Sequence, residues 1–470
     1  MKWHFQQMKK TELRCMLWVA LCFTLTSGVY LSWLDRAVNV AGANAADWLS
    51  MVAGYLFQAG GLGAAYLWLK RKADGNHDRA FQAAAVLLLF IAIPTLITNT
   101  KVGVTTFGWL MNGLCGVIAG GYLYGIGIRV DEERQSIIFG GGYAIATVTV
   151  GLLAVVGNGI LLHSAYALIA FALMTAGLVW MTRSFRLPGA NNTEQRGTAD
   201  GKQISFAFCV VILVSLVKNL GFGFPSEDIA GGLIPEISRI PYAIGLAAAG
   251  LISARNRRNG MICTIAAMII PFLMLGLRGE PISSTVFWGL DYVFFAFFTV
   301  FRVILFLDLA GRTKHWELAP LGLLAGRLGD AAGTAVYLLL GGYKTVLIGT
   351  AAALFIPGVF LLWRLYENIY DVEALQARME REKFRAFCEY HDLSAREQDI
   401  FRLMMTGKTY GEIAGALFIT ENTVKYHVRN IFQKTGCRSR AELQRDYAAK
   451  PDRKREAADE ESRPSLHIVS

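Results

Sequence analysis

Two groups of residues in this chain have types and spacings that could do chemistry. Toward the C-terminal end, Asn422, Lys425, Tyr426 and Arg429 share one face of a predicted helix, and Val424, Val428 and Ile431 occupy the opposite face at i, i+4 and i+7. Lys425 and Arg429 stand one turn apart, so both can enter a major groove together and donate to guanine or phosphate acceptors. The second group lies in apolar sequence and comprises Asp291, Arg327 and Asp330. Ionisable groups inside a bilayer are costly, so they face a cavity or a partner and mark function. Asp291 falls about ten residues into its apolar run, and Arg327 and Asp330 about nine and twelve into theirs from the other end, which at ~1.5 Å per residue gives one common depth.

Arg327, Asp330, Thr334 and Tyr337 form a single polar stripe at i, i+3, i+7 and i+10. Lys218, Asn219, Asn112 and Gln58 add isolated polar positions in other apolar runs. Two readings stand side by side. In one, Arg327, Asp330, Asp291 and Lys218 line a ligand pocket in which the planar fork of Arg327 grips a carboxylate or phenolate. In the other, Arg327 pairs with Asp330 or Asp291 and only fixes helix packing. Arg302, near the inner end of its run, is expected to snorkel to the surface. Phe294, Phe295, Phe297, Phe298 and Phe301 cover every face of their helix and are expected to serve packing and lipid contact.

The elements that must position these groups follow from composition. Of 470 residues, 54% are hydrophobic and only 17% charged, against about 25% charged in soluble domains. The deficit is confined to residues 1–365; from 366 on the chain reads as an ordinary charged segment. A spanning helix needs ~20 mostly apolar residues. By that measure twelve runs stand out, near 13–34, 47–69, 80–98, 102–126, 136–158, 162–182, 204–224, 239–254, 260–277, 283–308, 318–340 and 343–363. The eighth is short and interrupted by glycine. The first is too long to be a cleaved signal peptide.

Positive charge sets orientation. Clusters such as Lys70, Arg71, Lys72 and Arg79, or Arg255, Arg257 and Arg258, fall in one set of loops, and the alternate loops carry single charges, Arg36, Lys101, Arg239, Arg278 and Lys344. This predicts cytoplasmic N- and C-termini. The net charge of +10 therefore reports topology more than nucleic acid. The longest loop, about 183–203, holds Pro188, Gly189, Asn191, Asn192 and Gly197 and divides the spans six and six. Twelve spans, a central cytoplasmic loop and Gly-rich runs (Gly116, Gly120, Gly121, Gly125; Gly140, Gly141, Gly142) resemble the major facilitator superfamily.

The C-terminal segment carries three capping-box patterns, Ser394–Glu397, Thr409–Glu412 and Ser439–Glu442, in which each side chain satisfies the other's orphan backbone donor. Gly407 and Gly436 stand where helices should stop, and Thr420 is a suitable N-cap. Four short helices follow, near 394–405, 409–417, 420–434 and 439–448, over a core of Ile400, Leu403, Ile413, Leu417, Val424, Val428, Ile431 and Leu443. The second and third are joined by Phe418-Ile419, a helix-turn-helix layout. Leu393-Ser-Ala-Arg-Glu397, Glu412-Ile-Ala414, Ile419-Thr420, Thr423-Val-Lys-Tyr-His427, Lys434 and Ser439-Arg-Ala-Glu-Leu443 resemble the LuxR-type (FixJ/NarL-like) DNA-binding domain. That resemblance implies base-edge contacts at Lys425, Tyr426 and Arg429, phosphate contacts around Thr423 and Lys434, and dimerisation through the last helix at Arg440, Leu443 and Tyr447.

The expected architecture is all-α: a transmembrane bundle over 1–365, a linker helix over 366–390, a helix-turn-helix domain over 391–450 and a disordered tail over 451–470. Leu365, Ile369, Val372, Gln376 and Met379 alternate four and three apart, which fits either a short coiled-coil seam that pairs two chains or a simple amphipathic linker. The seven cysteines show no CxxC pair and no histidine at ligand spacing, so they read as apolar filler, with no metal site, cofactor or catalytic residue expected. The partners implied are double-stranded DNA, the lipid bilayer, a small-molecule ligand that is anionic in the pocket reading, and a second copy of the chain on DNA. The resulting expectation is a membrane-bound one-component transcriptional regulator. A transporter with an attached regulatory domain and a constitutive DNA binder tethered to the membrane remain open at this point.

Overall fold

The computed structural model describes residues 10–71, 77–155, 159–184, 200–221, 235–275, 281–370 and 372–449. Pro188, Gly189, Asn191, Asn192 and Gly197 of the central loop, and the tail over 451–470, lie outside the described residues, as do the side chains of Val372, Gln376 and Met379. The described residues contain helices and no strands. They divide into two compact units, Met1–Tyr366 and Glu367–Ser470.

The first unit is built from twelve long helical segments among the described residues. These are α1 (Lys10–Ala41), the composite α2 (Ala43–Asp47) and α3 (Tyr55–Arg71), then α4 (His77–Ile97), α5 (Lys101–Arg129), α6 (Glu132–Val155) and α7 (Ser164–Ser184). The second half holds α8 (Gly201–Gly221), α9 (Pro235–Arg255), α10 (Arg257–Leu275), α11 (Pro281–Thr313), α12 (Leu321–Leu340) and α13 (Lys344–Tyr370). Among the described residues, nine helices are each long and apolar enough to cross a membrane, and Ile240–Arg255 is a shorter apolar one. The second apolar run is not one continuous α-helix: a π-helical stretch, Trp48–Gly54, joins α2 to α3. The outward residues Phe90, Leu173, Trp180 and Ile356 are large, apolar and exposed. A body facing water would not present so much contiguous apolar surface, whereas lipid accepts it.

Packing follows small residues. The halves meet where α6 lies on α9 and α3 on α12, and α12 also lies against α8. Of the glycines that interrupt the eighth run, Gly245 faces Val293 and Ala296 of α11, and Gly250 faces the backbone of Ser136 in α6, whose hydroxyl donates to the Gly250 carbonyl at 3.0 Å.

The second unit has α14 (Val372–Tyr390), α15 (Ala395–Met405), α16 (Tyr410–Leu417), α17 (Glu421–Thr435) and α18 (Arg440–Ala449). Its core holds Ile400, Ile413, Val424, Val428, Ile431 and Leu443, with Leu403 and Leu417 partly buried beside them. It also holds Phe387 and Cys388 of α14, which sequence reading assigned to a linker. The Phe387 ring stacks on Phe401 at 5.1 Å and meets Tyr447 edge-on at 5.3 Å. Burial raises the Cys388 thiol to about 11, so it remains protonated filler. The end of α14 is thus an integral part of the domain.

A soluble fragment spanning 367–470 is expected to lose about 3–5 kcal/mol of unfolding free energy on Phe387→Ala. Urea denaturation followed by circular dichroism measures this, and a loss below about 1 kcal/mol would show α14 to be a mere linker.

Candidate nucleic-acid interface and central charge cluster

The helix-turn-helix pair is α16 and α17. Thr409 and Glu412 form a complete capping box at the start of α16, with Thr409 N donating to Glu412 Oε2 at 2.7 Å. Phe418 ends that helix in the left-handed region at φ 52° and is 95% exposed. Thr420 then caps α17 by accepting from Thr423 N at 3.3 Å. Val424, Val428 and Ile431 turn into the core, and Asn422, Lys425, Tyr426 and Arg429 stand exposed together on the other side. Thr423 is half-buried, its hydroxyl within 2.8 Å of that of Thr420. The five expected contacts on α17 ahead of Lys434 therefore share one end and one side of the helix.

Lys425 makes a 2.9 Å ion pair with Glu421 one turn back. Both side chains are more than half exposed, so the pair is worth ~0–1 kcal/mol and yields readily to a phosphate or a guanine. Lys434 is in a different position. Its ammonium donates to Glu397 Oε2 and to the Asp392 carbonyl, each at 2.8 Å. Two of its three donors are engaged within the domain, which makes it a structural tie more than a phosphate contact.

The three residues given to dimerisation make their contacts within their own domain. Arg440 donates to the Lys408 carbonyl at 2.9 Å and to the Met404 carbonyl, closing the end of α15. Leu443 is fully buried in the core. Tyr447 packs on Phe401, and its hydroxyl donates to Glu380 at 2.7 Å. These side chains are turned into their own domain, because the core needs an apolar face from α18. The exposed face of that helix carries Ala441, Gln444 and Arg445 instead. The third capping box is also altered: Ser439 accepts from Glu442 N at 3.2 Å, but Glu442 reaches back to Arg438 N at 2.7 Å.

In the first unit the structure brings four of the singled-out charges to one region and adds a fifth. Arg302 is 3% exposed at its side chain and does not snorkel; its Nη1 donates to Asp330 Oδ2 at 2.9 Å. Room for it comes from Gly322 and Gly326 of α12, since a Cβ at Gly326 would lie 2.8 Å from Arg302 Cδ. The spacing of those two glycines was the available sequence signal. Arg327 Nη1 lies 3.5 Å from the same Asp330 oxygen and is 23% exposed. Its guanidinium sits over the Tyr55 ring at 4.5 Å, immediately after the π-helical stretch.

Lys218 is buried with its ammonium 3.6 Å from the Phe295 ring centroid and 3.2 Å from Asn219 Oδ1. Phe295 and Phe298 are thus cation-facing rings, beyond the packing role expected from sequence: Arg302 lies over Phe298 at 4.9 Å. Asp291 is buried within electrostatic reach of Lys218. Asn219 donates to the Asp330 carbonyl at 2.7 Å and to Thr334, so the polar stripe of α12 docks on α8. Gln58 and Asn112, isolated in sequence, pair at 2.6 Å.

The DNA-binding unit carries its own pH dependence. Burial acts to raise the Glu397 carboxyl, but hydrogen bonds from Lys434 and Ser394 together outweigh it and hold the group below its ordinary 4.5. A depressed folded-state value contributes stability above the unfolded value, and that contribution disappears as pH falls through the folded one. The 367–470 fragment should therefore lose stability on acidification below about pH 4.5. Glu397→Gln is expected to be less stable at neutral pH and to flatten this acid limb in denaturation curves; an unchanged limb would refute the role of the Glu397–Lys434 tie.

Residues 391–445 match the family described as bacterial regulatory proteins, luxR family. The spore germination protein GerE of Bacillus subtilis (strain 168) is 44% identical over 50 residues, which make up 11% of this chain and 68% of that protein. The uncharacterized transcriptional regulatory protein YhcZ of the same organism is 48% identical over 46 residues, 10% of this chain and 22% of that protein. In the membrane unit the likeness is one of fold: the fucose:proton symporter FucP of E. coli superposes with a TM-score of 0.53 at 9% identity, over 76% of this chain and 97% of that one. Through the segment that carries α15 to α18, the chain belongs to the luxR family of bacterial regulatory proteins, joined to a helical membrane unit whose fold is similar to that of the fucose:proton symporter.

Proposed function

We propose that the chain is a one-component transcriptional regulator of the bacterial cytoplasmic membrane, in which a small molecule bound among the spans controls DNA binding by the helix-turn-helix domain. The observation that carries this reading is Arg327. It is a charged group in the interior of a membrane unit, partly accessible, in a chain whose other unit presents a DNA-reading face. Both termini lie in the cytoplasm in this reading, which the positive charge clustered in one set of loops supports. Asn422, Thr423, Lys425, Tyr426 and Arg429 contact DNA, the last four residues of that set supplying the donors and the ring that meet base edges and phosphate. Dimerisation on DNA uses the exposed face of α18, and the ligand acts by changing how the two domains of a dimer are presented to a promoter. The ligand site takes in Arg327, Asp330, Asp291 and Lys218, and the chain performs no catalysis.

The DNA arm is tested with the 367–470 fragment on the chain's own promoter region. Lys425→Ala with Arg429→Ala is expected to remove sequence preference, at ~1–3 kcal/mol for each lost base contact, and to lower the salt dependence of binding. Failure of the intact fragment to select any neighbouring DNA over a scrambled duplex would sink this arm.

The sensing arm is tested with the full chain and a promoter–reporter fusion in a bacterial host exposed to a defined library of small metabolites. A response to at least one compound is expected, lost in Arg327→Ala while the fragment still binds DNA. Constant output across the library, unaltered by Arg327→Ala, would reduce the membrane unit to a tether. Flux of the inducing compound into proteoliposomes, abolished by the same substitution, would make the unit a transporter.

A further inference from the structure

We infer that the ligand of the membrane unit is a small monoanion of the carboxylate type, and that Arg327 alone among the buried cations binds it directly. The inference rests on the sensing reading above and deepens it.

The central region contains three cations, Lys218, Arg302 and Arg327, and two carboxylates, Asp291 and Asp330. All five ionised, the cluster carries an excess of one positive charge. The geometry decides which cation is in excess. Arg302 holds Asp330 at 2.9 Å with both side chains almost wholly buried, an ion pair closed to solvent. Lys218 sits against Phe295 and within the field of both Asp291 and Asp330. Arg327 reaches Asp330 only at 3.5 Å, on an oxygen that Arg302 already occupies.

Arg327 also differs in where it points. Its guanidinium lies over Tyr55, in the other half of the bundle, and within electrostatic reach of Tyr30 and Tyr143. It is 23% exposed, against 3% for Arg302. Its buried Nε, like that of Arg302, has no hydrogen-bond partner among the described residues, but only the Arg327 guanidinium is also accessible. The wall beneath it follows directly on Trp48–Gly54, and π-helical turns recur at functional sites. An accessible guanidinium with an unused donor and one uncompensated charge is complementary to a planar oxyanion, which it can take through two parallel N–H bonds. Arg302 is then a positioning residue: it neutralises Asp330 so that this carboxylate does not compete for Arg327.

The test uses purified full-length protein in lipid nanodiscs. The probes are sodium formate, acetate, benzoate, octanoate and inorganic phosphate at fixed ionic strength, with the matched amides as neutral controls. At least one carboxylate is expected to raise the melting temperature by several degrees, with no effect from its amide and none in Arg327→Met. Phosphate acting in place of every carboxylate, a flat response to all the anions, or equal responses from amides would overturn the proposal.

A second measurement needs no ligand. Because Arg327 is the excess charge, Arg327→Met should melt at or above the wild-type temperature, whereas Arg302→Met should melt several degrees lower for loss of the Asp330 partner. Equal destabilisation by both would overturn the charge assignment. Anion binding with an unresponsive reporter would support this site while removing the sensing reading, so the two fail separately.

Discussion

An ion pair closed off from water survives only when geometry forces the charges together, and the Arg302–Asp330 contact at 2.9 Å is the constraint on which the centre of the membrane unit depends. Taking each ion out of water costs several kcal/mol, which close approach and further hydrogen bonds must offset. Close approach exists here because Gly322 lets α12 come against the Arg302 carbonyl of α11 and Gly326 leaves space for the Arg302 side chain. Once Asp330 is fixed, Asn219 of α8 donates to its carbonyl at 2.7 Å and to the Thr334 hydroxyl, and that pins α12 on α8. What remains of the local charge is displayed by Arg327 toward the first half of the bundle.

The DNA-binding unit solves a related problem at helix ends, where unsatisfied backbone groups would otherwise face the core. Glu397 closes the capping box with Ser394 and also receives Lys434, so one carboxylate ties the start of α15 to the end of α17. Arg396 donates to the Leu417 carbonyl at 2.9 Å and so closes α16, and Arg440 closes α15 from the far side. Because these charges are committed to the interior of the domain, the exposed charges of α17 are left to act on a partner. A rigid scaffold with a few exposed donors suits base reading, which needs the donors placed to within a fraction of an ångström.

Legibility in the sequence followed the range of each interaction. The caps at Ser394, Thr409 and Thr420 join residues three apart, and all three occur where the pattern places them. The inward face of α17 was readable for the same reason, since one helix turn repeats its apolar positions. The burial of Arg302 was readable only indirectly, from the glycine spacing of another helix, because its partner lies 28 residues away and its own run gives no sign of a contact. Phe387 was assigned to a linker because composition changes before residue 390, yet the core does not end where composition does. Arg440 and Tyr447 were given outward roles by resemblance alone; only the packing of α18 on Phe401 and the carbonyls of α15 shows them facing inward.

The two units use charge by one rule, and exposure is the variable that separates its two outcomes. Arg302 and Glu397 are almost wholly buried, with partners at 2.8–2.9 Å, and removing Arg302 takes the closest partner from a carboxylate that is itself enclosed. Lys425 and Arg327 keep weaker or solvent-screened partners, Glu421 beside the one and a shared Asp330 oxygen near the other. A group of the first kind cannot exchange its partner without disrupting the fold around it. The second kind can trade its partner for a phosphate, a base edge or a carboxylate at small cost, since the interaction given up was worth little. The cations that the fold has left least satisfied, Lys425 and Arg327, are therefore the ones free to exchange partners, and those it has enclosed serve stability.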